Sequence, residues 1–252
     1  MKDSSLFYCG TSNVELPVPN KAHFPPEYQD RSRLAFYASL YNTVEINSTF
    51  YKIPMARTVE RWATEVPEDF CFTFKLWKGI THNKELVYDA ADIKRFFTVI
   101  NSAGDKKGCL LIQFPASIKA SLFQRFRALM DDVYSAGEDS GWKIAVEFRD
   151  KSWYRDSVYQ MLEQYRAAVV THDIPASATP LIDMDADFVY LRFHGEKGDY
   201  RGSYEDDFLQ EYAGHVRDWI GEGKQVYAYF NNTVGDAVHN ARTLVEYYKD
   251  MV

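Results

Sequence analysis

Polar and charged residues recur at one end of one strand-like segment after another, and they are of types that bind and transform small molecules. Glu45 and Asn47 lie in NTVEINSTFYKIP (residues 42–54), Lys75 closes FCFTFK, and Glu147 and Arg149 close the segment that begins at Lys143. Thr11 ends the first such segment and Asp173 follows the sixth. Arg192 and His194 end YLRFH, and Asn231 and Asn232 follow YAYF. Glu45 and Glu147 have the chemistry of general acids or bases, a role that needs a pKa moved toward neutrality by burial or a like charge. Lys75 suits either a Schiff base or the holding of a phosphate or carboxylate. Arg149 and Arg192 suit a bidentate anion clamp. His194 suits a proton shuttle, an anion donor, a metal ligand or a hydrogen-bonded core residue. Thr11, Asn47, Asp173, Asn231 and Asn232 would supply the remaining substrate contacts.

The acids Glu45, Glu147 and Asp173 balance the bases Lys75, Arg149 and Arg192, as groups sharing a poorly solvated site must. A salt-bridge plug would show the same balance, although apolar residues would pack such an interior at least as well.

Strand after strand must position these residues. Val44 and Ile46 alternate with Glu45 and Asn47, so the acid points away from the apolar face. Strands are expected over 6–10, 42–47, 70–75, 108–114, 143–148, 167–171, 188–193 and 226–230. Helices are expected over 32–40, 58–65 with Thr58 as cap, 91–103, 121–136, 152–165, 204–220 and 234–249. Residues 13–30 have no clear period, and a Pro-containing connection with at most a short helix follows Asp173. Continuous apolar strands alternating with helices imply a parallel sheet. Eight such units in 252 residues have the size and order of a single (β/α)8 TIM-type barrel spanning residues 1–252, with the site at its C-terminal mouth. A doubly wound open sheet is the competing architecture. It would scatter the polar residues over two faces instead of gathering them at one mouth.

Composition narrows the function classes. The formal net charge of -7 disfavours non-specific coating of nucleic acid or anionic membranes, which depends on neutralising phosphates with Lys and Arg. MKDSSLFYCG has no apolar run of signal-peptide length and no later stretch approaches a membrane span, so a cytoplasmic protein is expected. Cys9, Cys71 and Cys109 are far apart and read as buried free thiols. No P-loop, GxGxxG, HExxH or GxSxG is present, so no motif requires a cofactor. The loops 194–202 and 231–236 have the placement of barrel phosphate sites, and equally that of ordinary turns. Phe50, Tyr51, Trp77, Trp153 and Tyr154 lie just beyond strand ends, where aromatic rings would stack on a flat ligand or pack the loops.

Several blocks carry a resemblance. CGTS (residues 9–12), NTVEINSTFYKIP, Lys75 with ITH (80–82), EFRDKSW (147–153), YLRFHG (190–195) and YFNNT (229–233) resemble the successive blocks of the family called domain of unknown function 72, or YecE-like. The match spans nearly the whole chain, and NTVEINSTFY is its most specific part. The resemblance implies a (β/α)8 barrel and no particular reaction. It also marks a departure: family members commonly continue GTS with Gly and Trp, where this chain has Asn13 and Val14.

Three functions follow from these residues. The first is an enzyme acting on a small or nucleotide-like anionic substrate, with Glu45 or Glu147 in proton transfer and Lys75, Arg149 and Arg192 holding negative charge. The second is a metal-assisted phosphoester hydrolase or nucleic-acid repair enzyme using Glu45, Glu147, Asp173 and His194 as ligands, which three bases in the mouth would oppose. The third is a non-catalytic ligand-binding or interaction protein whose mouth captures a metabolite or a partner's acidic tail.

Overall fold

The structure, a computed structural model, describes residues 6–180 and 184–252. Residues 1–5, and residues 181–183 in the connection after Asp173, therefore lie outside the described residues.

Alternation of side chains explains the layering. Along β1 (Phe7–Thr11), β2 (Thr43–Ile46), β3 (Cys71–Lys75), β4 (Lys107–Phe114) and β5 (Lys143–Phe148), every second residue faces a large apolar core shared with the helices. The next strand runs in two pieces, Ala168–Val169 and Thr171–His172, here together β6, and is followed by β7 (Phe188–Phe193) and β8 (Gln225–Phe230). Val44, Phe72, Phe74, Leu110, Ile112, Val146, Leu191 and Ala228 belong to that outer core. Residues of opposite parity, among them Cys71, Leu111, Ala145, Val170, Tyr190, Tyr227 and Tyr229, form a second cluster on the other face of the strands. The helices that cover the first face are α1 (Arg33–Tyr37), α2 (Ala56–Thr64), α3 (Ala90–Ile100), α4 (Phe123–Gly137), α5 (Asp156–Gln164), α6 (Asp206–Gly221) and α7 (Ala237–Asp250).

All strand pairs are parallel, in the orders β2-β3-β4-β5-β6 and β1-β8-β7-β6. The two pieces of β6 pair with β5 on one side and β7 on the other, through Val146↔Val169 and His172↔Arg192. At the opposite edges, β1 and β2 meet through one parallel bridge, Ser12↔Glu45. Side chains replace the missing ladder there. Asn42 donates to Phe7 O at 2.7 Å and accepts from Cys9 N at 3.1 Å. The buried Tyr37 hydroxyl accepts from Thr11 N at 2.7 Å and donates to Thr43 O at 3.0 Å. Gly10 allows this approach, because a Cβ at that position would lie 2.2 Å from Thr43 O.

Several helix starts differ from the sequence expectation. Ser32 caps α1 through Ala35 N, but α2 begins at Ala56, before Thr58, without a side-chain cap. The α4 helix is preceded by a 3-10 turn over Ala120–Leu122. Residues 151–153 form another, because the Asp150 side chain accepts from Ser152 N, and α5 starts only at Asp156. Val234 and Gly235 pair with Arg201 and Gly202 in a small parallel ribbon, so α7 starts at Ala237. Among the described residues, no helix is long and apolar enough to cross a membrane. The three cysteines are buried and free.

Backbone contact at the β1–β2 junction yields a test. Gly10→Ala is expected to destabilise the protein by more than about 2 kcal/mol in urea denaturation, since the Thr43 backbone and the buried Tyr37 hydroxyl leave a Cβ no room. Gly214→Ala, inside α6 with open space at its Cβ, should instead add roughly 0.5–1 kcal/mol.

Candidate functional site

Strand parity carries the inner face from apolar to hydroxyl to charged layers toward the C-terminal ends. Tyr229 OH lies 2.7 Å from both Thr43 Oγ1 and Thr73 Oγ1. Above it stand Glu45, Glu147 and Arg192, all buried.

Arg192 joins the two acids. Its Nε lies 3.0 Å from Glu45 Oε2 and 3.2 Å from Oε1, and its Nη2 donates to Glu45 Oε1 at 2.8 Å. Its Nη1 donates to Glu147 Oε2 and to His194 Nε2, both at 3.0 Å. Glu45 also accepts from Ser12 Oγ and Tyr190 OH, each at 2.6 Å, and from Asn47 Nδ2 at 3.0 Å. The other oxygen of Glu147 accepts from Arg149 Nε. Burial alone would push both carboxyls up, but the guanidinium charges and hydrogen bonds outweigh it. Glu45 is held at about 2 and Glu147 well below the usual carboxylate range.

His194 is oriented from behind. Its Nε2 faces Nη1 of Arg192 and Nη2 of Arg149 at 3.0 and 3.1 Å, so that nitrogen is the acceptor and Nδ1 carries the hydrogen that goes to Asp173 Oδ1 at 3.2 Å. Burial pushes the imidazole down to about 4, with Arg192 adding to the effect against the Asp173 hydrogen bond. Asp173 also accepts from His194 N at 2.8 Å and from Tyr204 OH, which itself accepts from Gly195 N at 2.5 Å. Gly195 has φ +88, and a Cβ there would meet Arg201 O at 2.3 Å; a residue without Cβ is needed where the 195–202 loop folds back.

Lys75 is different from the other charges. It is 8% exposed, and its Nζ makes no hydrogen bond or ion pair among the described residues. It sits over the Phe50 ring at 4.3 Å from the centroid. Burial and the neighbouring Arg192 lower its pKa to about 7, against the opposing pull of Glu147 and Glu45.

These groups divide into a floor and a cavity. A cavity of about 750 Å³ opens at the C-terminal strand ends, and Asn47, Lys75, Arg149, Arg192 and Asn231 line it together with Gln113, Phe50, Tyr51 and Tyr200. Glu45, Glu147, His194 and Asp173 do not line it and form the layer that holds the arginines. Thr11 donates to Asn13 O at 2.7 Å and so holds a residue that lines the cavity, whereas Asn232 is engaged with Gly202 O and Asn240 Oδ1, each at 2.9 Å, and secures a loop away from it. Trp153 is buried in the outer core, Tyr154 is tied to Phe148 O and Ser177 O, and Trp77 lines a separate groove. Among the described residues, no three His, Cys, Asp or Glu side chains converge to hold a metal ion.

Sequence reasoning missed Ser12, Tyr190, Tyr200 and Tyr204. Tyr190 shares the parity of Arg192 and was legible in that way. Tyr204 was not, because only the fold of the loop brings it to Asp173. Asn13 has φ +66, a conformation for which asparagine is the best substitute for glycine, and its N donates to Glu45 O at 2.8 Å. The departure from Gly at this position therefore keeps the backbone turn.

A family model described as "Protein of unknown function DUF72" matches residues 8–251. The UPF0759 protein YunF of Bacillus subtilis (strain 168) is 26% identical over 262 residues, covering 88% of this chain and 89% of YunF. Among solved structures, a DUF72 family protein from Enterococcus faecalis V583 has a TM-score of 0.76 at 22% identity, over 96% of this chain and 95% of that one. D-psicose 3-epimerase, crystallised in the presence of D-fructose, has a TM-score of 0.54 at 10% identity, over 96% of each chain. At these identities the structural likenesses show the fold alone: an α/β fold of parallel sheets with TIM-barrel-like neighbours.

Arg192→Met is expected to cost about 3–5 kcal/mol at neutral pH or to prevent folding, because two carboxylates are left buried without their shared partner. The deficit should narrow as pH falls from the ordinary carboxylate range toward 2. The wild type loses its ion-pair stabilisation as Glu45 and Glu147 take up protons, whereas the variant is relieved by the same protonation. Denaturant midpoints of both proteins across that range check this.

Proposed function

The chain belongs to the DUF72 family, and we propose that it is a single (β/α)8 domain whose C-terminal mouth binds a small monoanionic molecule and acts on it as an enzyme. Lys75 is the group that exchanges a proton with the ligand, and Arg149 is the group that holds its negative charge.

The observation that carries this reading is the Lys75 amine, buried on the wall of a cavity and without a hydrogen-bonding or ion-pairing partner among the described residues. A plug that served stability alone would pair the ammonium with a carboxylate. The two carboxylates here are instead saturated by arginine, and the amine is left facing open space. A cavity of about 750 Å³ falls within the range of small-molecule sites. Of the two guanidinium groups, Arg192 spends its donors on Glu45, Glu147 and His194. Arg149 keeps Nη1, whose one partner among the described residues is Tyr200 OH at 3.5 Å, to meet an anion. Glu45, Glu147 and His194 act through the arginines as positioning residues. The metal-assisted reading finds no ligand set among the described residues, and the acids it would need are already bound to arginine and histidine.

Two outcomes are expected. Calorimetric titration with lactate near pH 8, repeated in buffers of different ionisation enthalpy, should show binding with uptake of close to one proton per site, as the ligand's charge turns the amine into ammonium. Lys75→Met should abolish both, and equal binding by the variant would sink the reading. The second outcome concerns stability. A lysine whose folded-state pKa lies near 7 makes unfolding less favourable as pH rises from about 7 to 10, because only the unfolded chain still holds the proton there. Lys75→Met should therefore be more stable than wild type by a few kcal/mol at pH 7, at ~1.4 kcal/mol per tenfold change in proton affinity. The gap should close by about pH 10, as measured by urea denaturation.

A further inference from the structure

We propose that the ligand carries an aldehyde or ketone beside its carboxylate and that Lys75 forms an imine with it. This rests on the small-anion reading above and specifies the substrate class for the same site.

Three observations at the cavity support it. The first is the state of the nitrogen. An amine that only received anions would do better as a permanently charged, hydrogen-bonded ammonium. Lys75 has no such partner among the described residues, stands beside two guanidinium groups, and rests on an aromatic ring. That arrangement leaves the nitrogen lone pair available, which is what attack on a carbonyl needs. Second, the adjacent cations are fixed. Arg192 is locked between two acids and Arg149 is held by Glu147 and His194, so they cannot swing away and let the amine regain its proton in the empty site. Third, Asn47 lines the cavity, and its Oδ1 is a buried acceptor without a partner among the described residues. Its orientation is set, because the Nδ2 of the same amide is spent on Glu45 Oε1 at 3.0 Å. An acceptor so placed suits the hydroxyl that the carbonyl oxygen becomes when the amine adds.

The step balances within the site and solvent. The Lys75 ammonium that forms when the carboxylate binds gives one proton to the carbonyl oxygen as its nitrogen bonds to the carbonyl carbon, and a second proton leaves to solvent. The carbinolamine then loses its hydroxyl as water, leaving a C=N bond. No oxidant or reductant takes part. The carboxylate remains on the ligand, opposite Arg149. Protonation of the imine nitrogen would make the neighbouring carbon acidic, which connects the covalent adduct to the proton exchange proposed above.

Reductive trapping tests the proposal. The full chain is incubated at pH 7.5 with pyruvate or glyoxylate and cyanoborohydride, then read by intact mass and peptide mapping. Glycolaldehyde serves as a carbonyl without the anion, and lactate as an anion without the carbonyl. One adduct per chain at Lys75 is expected with an oxo acid, in at least tenfold excess over any other lysine. It should be much weaker with glycolaldehyde, suppressed by added lactate, and absent from Lys75→Arg. Labelling spread evenly over surface lysines, or unchanged in Lys75→Arg, overturns the proposal. If lactate binds with proton uptake and yet no oxo acid is trapped, the imine falls while the anion site stands. If lactate neither binds nor competes and nothing is trapped, both fall.

Discussion

One guanidinium, Arg192, is the interaction on which the rest of this structure depends. It stands on β7 of one sheet and reaches two carboxylates of the other, Glu45 on β2 and Glu147 on β5. Each carboxylate would be prohibitively costly in that interior alone, as would the arginine. Together they are tolerable because nearly every lone pair and donor is used: Ser12, Tyr190 and Asn47 complete Glu45, and Arg149 completes Glu147. The requirement reaches outward. Ser12 must arrive beside β2, which needs the glycine at position 10 and the Tyr37 hydroxyl between the strands, and the left-handed turn at Asn13 follows.

The same accounting explains Lys75. Two acids are matched by two arginines in a chain of alternating charge, and Asp173 is occupied by His194, Tyr204 and the backbone. The amine is the group left over, and it meets cations as well as a desolvating environment. Its lowered pKa is thus a by-product of how completely the others are paired. A function built on that amine needs the carboxylates for placement and not for proton transfer, which moves Glu45, Glu147 and His194 from the reacting centre to the layer beneath it.

The back of the site is held by a longer chain of contacts. Tyr204 binds Asp173, Asp173 sets the tautomer of His194, and His194 presents its unprotonated nitrogen to both arginines. Gly195 ties the loop that carries Tyr204 to the end of β7. The arginines therefore face the cavity with their geometry already decided.

Much of this was readable from residue order. The alternation of Val44 and Ile46 with Glu45, repeated along strand after strand, determined a parallel α/β arrangement and placed Lys75, Glu147, Arg192 and Asn231 on one face at one end. The blocks around Asn42–Pro54 and Tyr190–Gly195 determined the family. Both are local signals, and period and spacing carry them. Which acids would be neutralised and which base would be left bare was decided only by the tertiary structure. Pairing of Arg192 with residues 147 and 45 positions earlier, and of Tyr204 with Asp173 across a loop, depends on distances between strands that no local pattern encodes. Titratable groups take their chemistry from those distances, so residue types named the candidates and packing assigned their states.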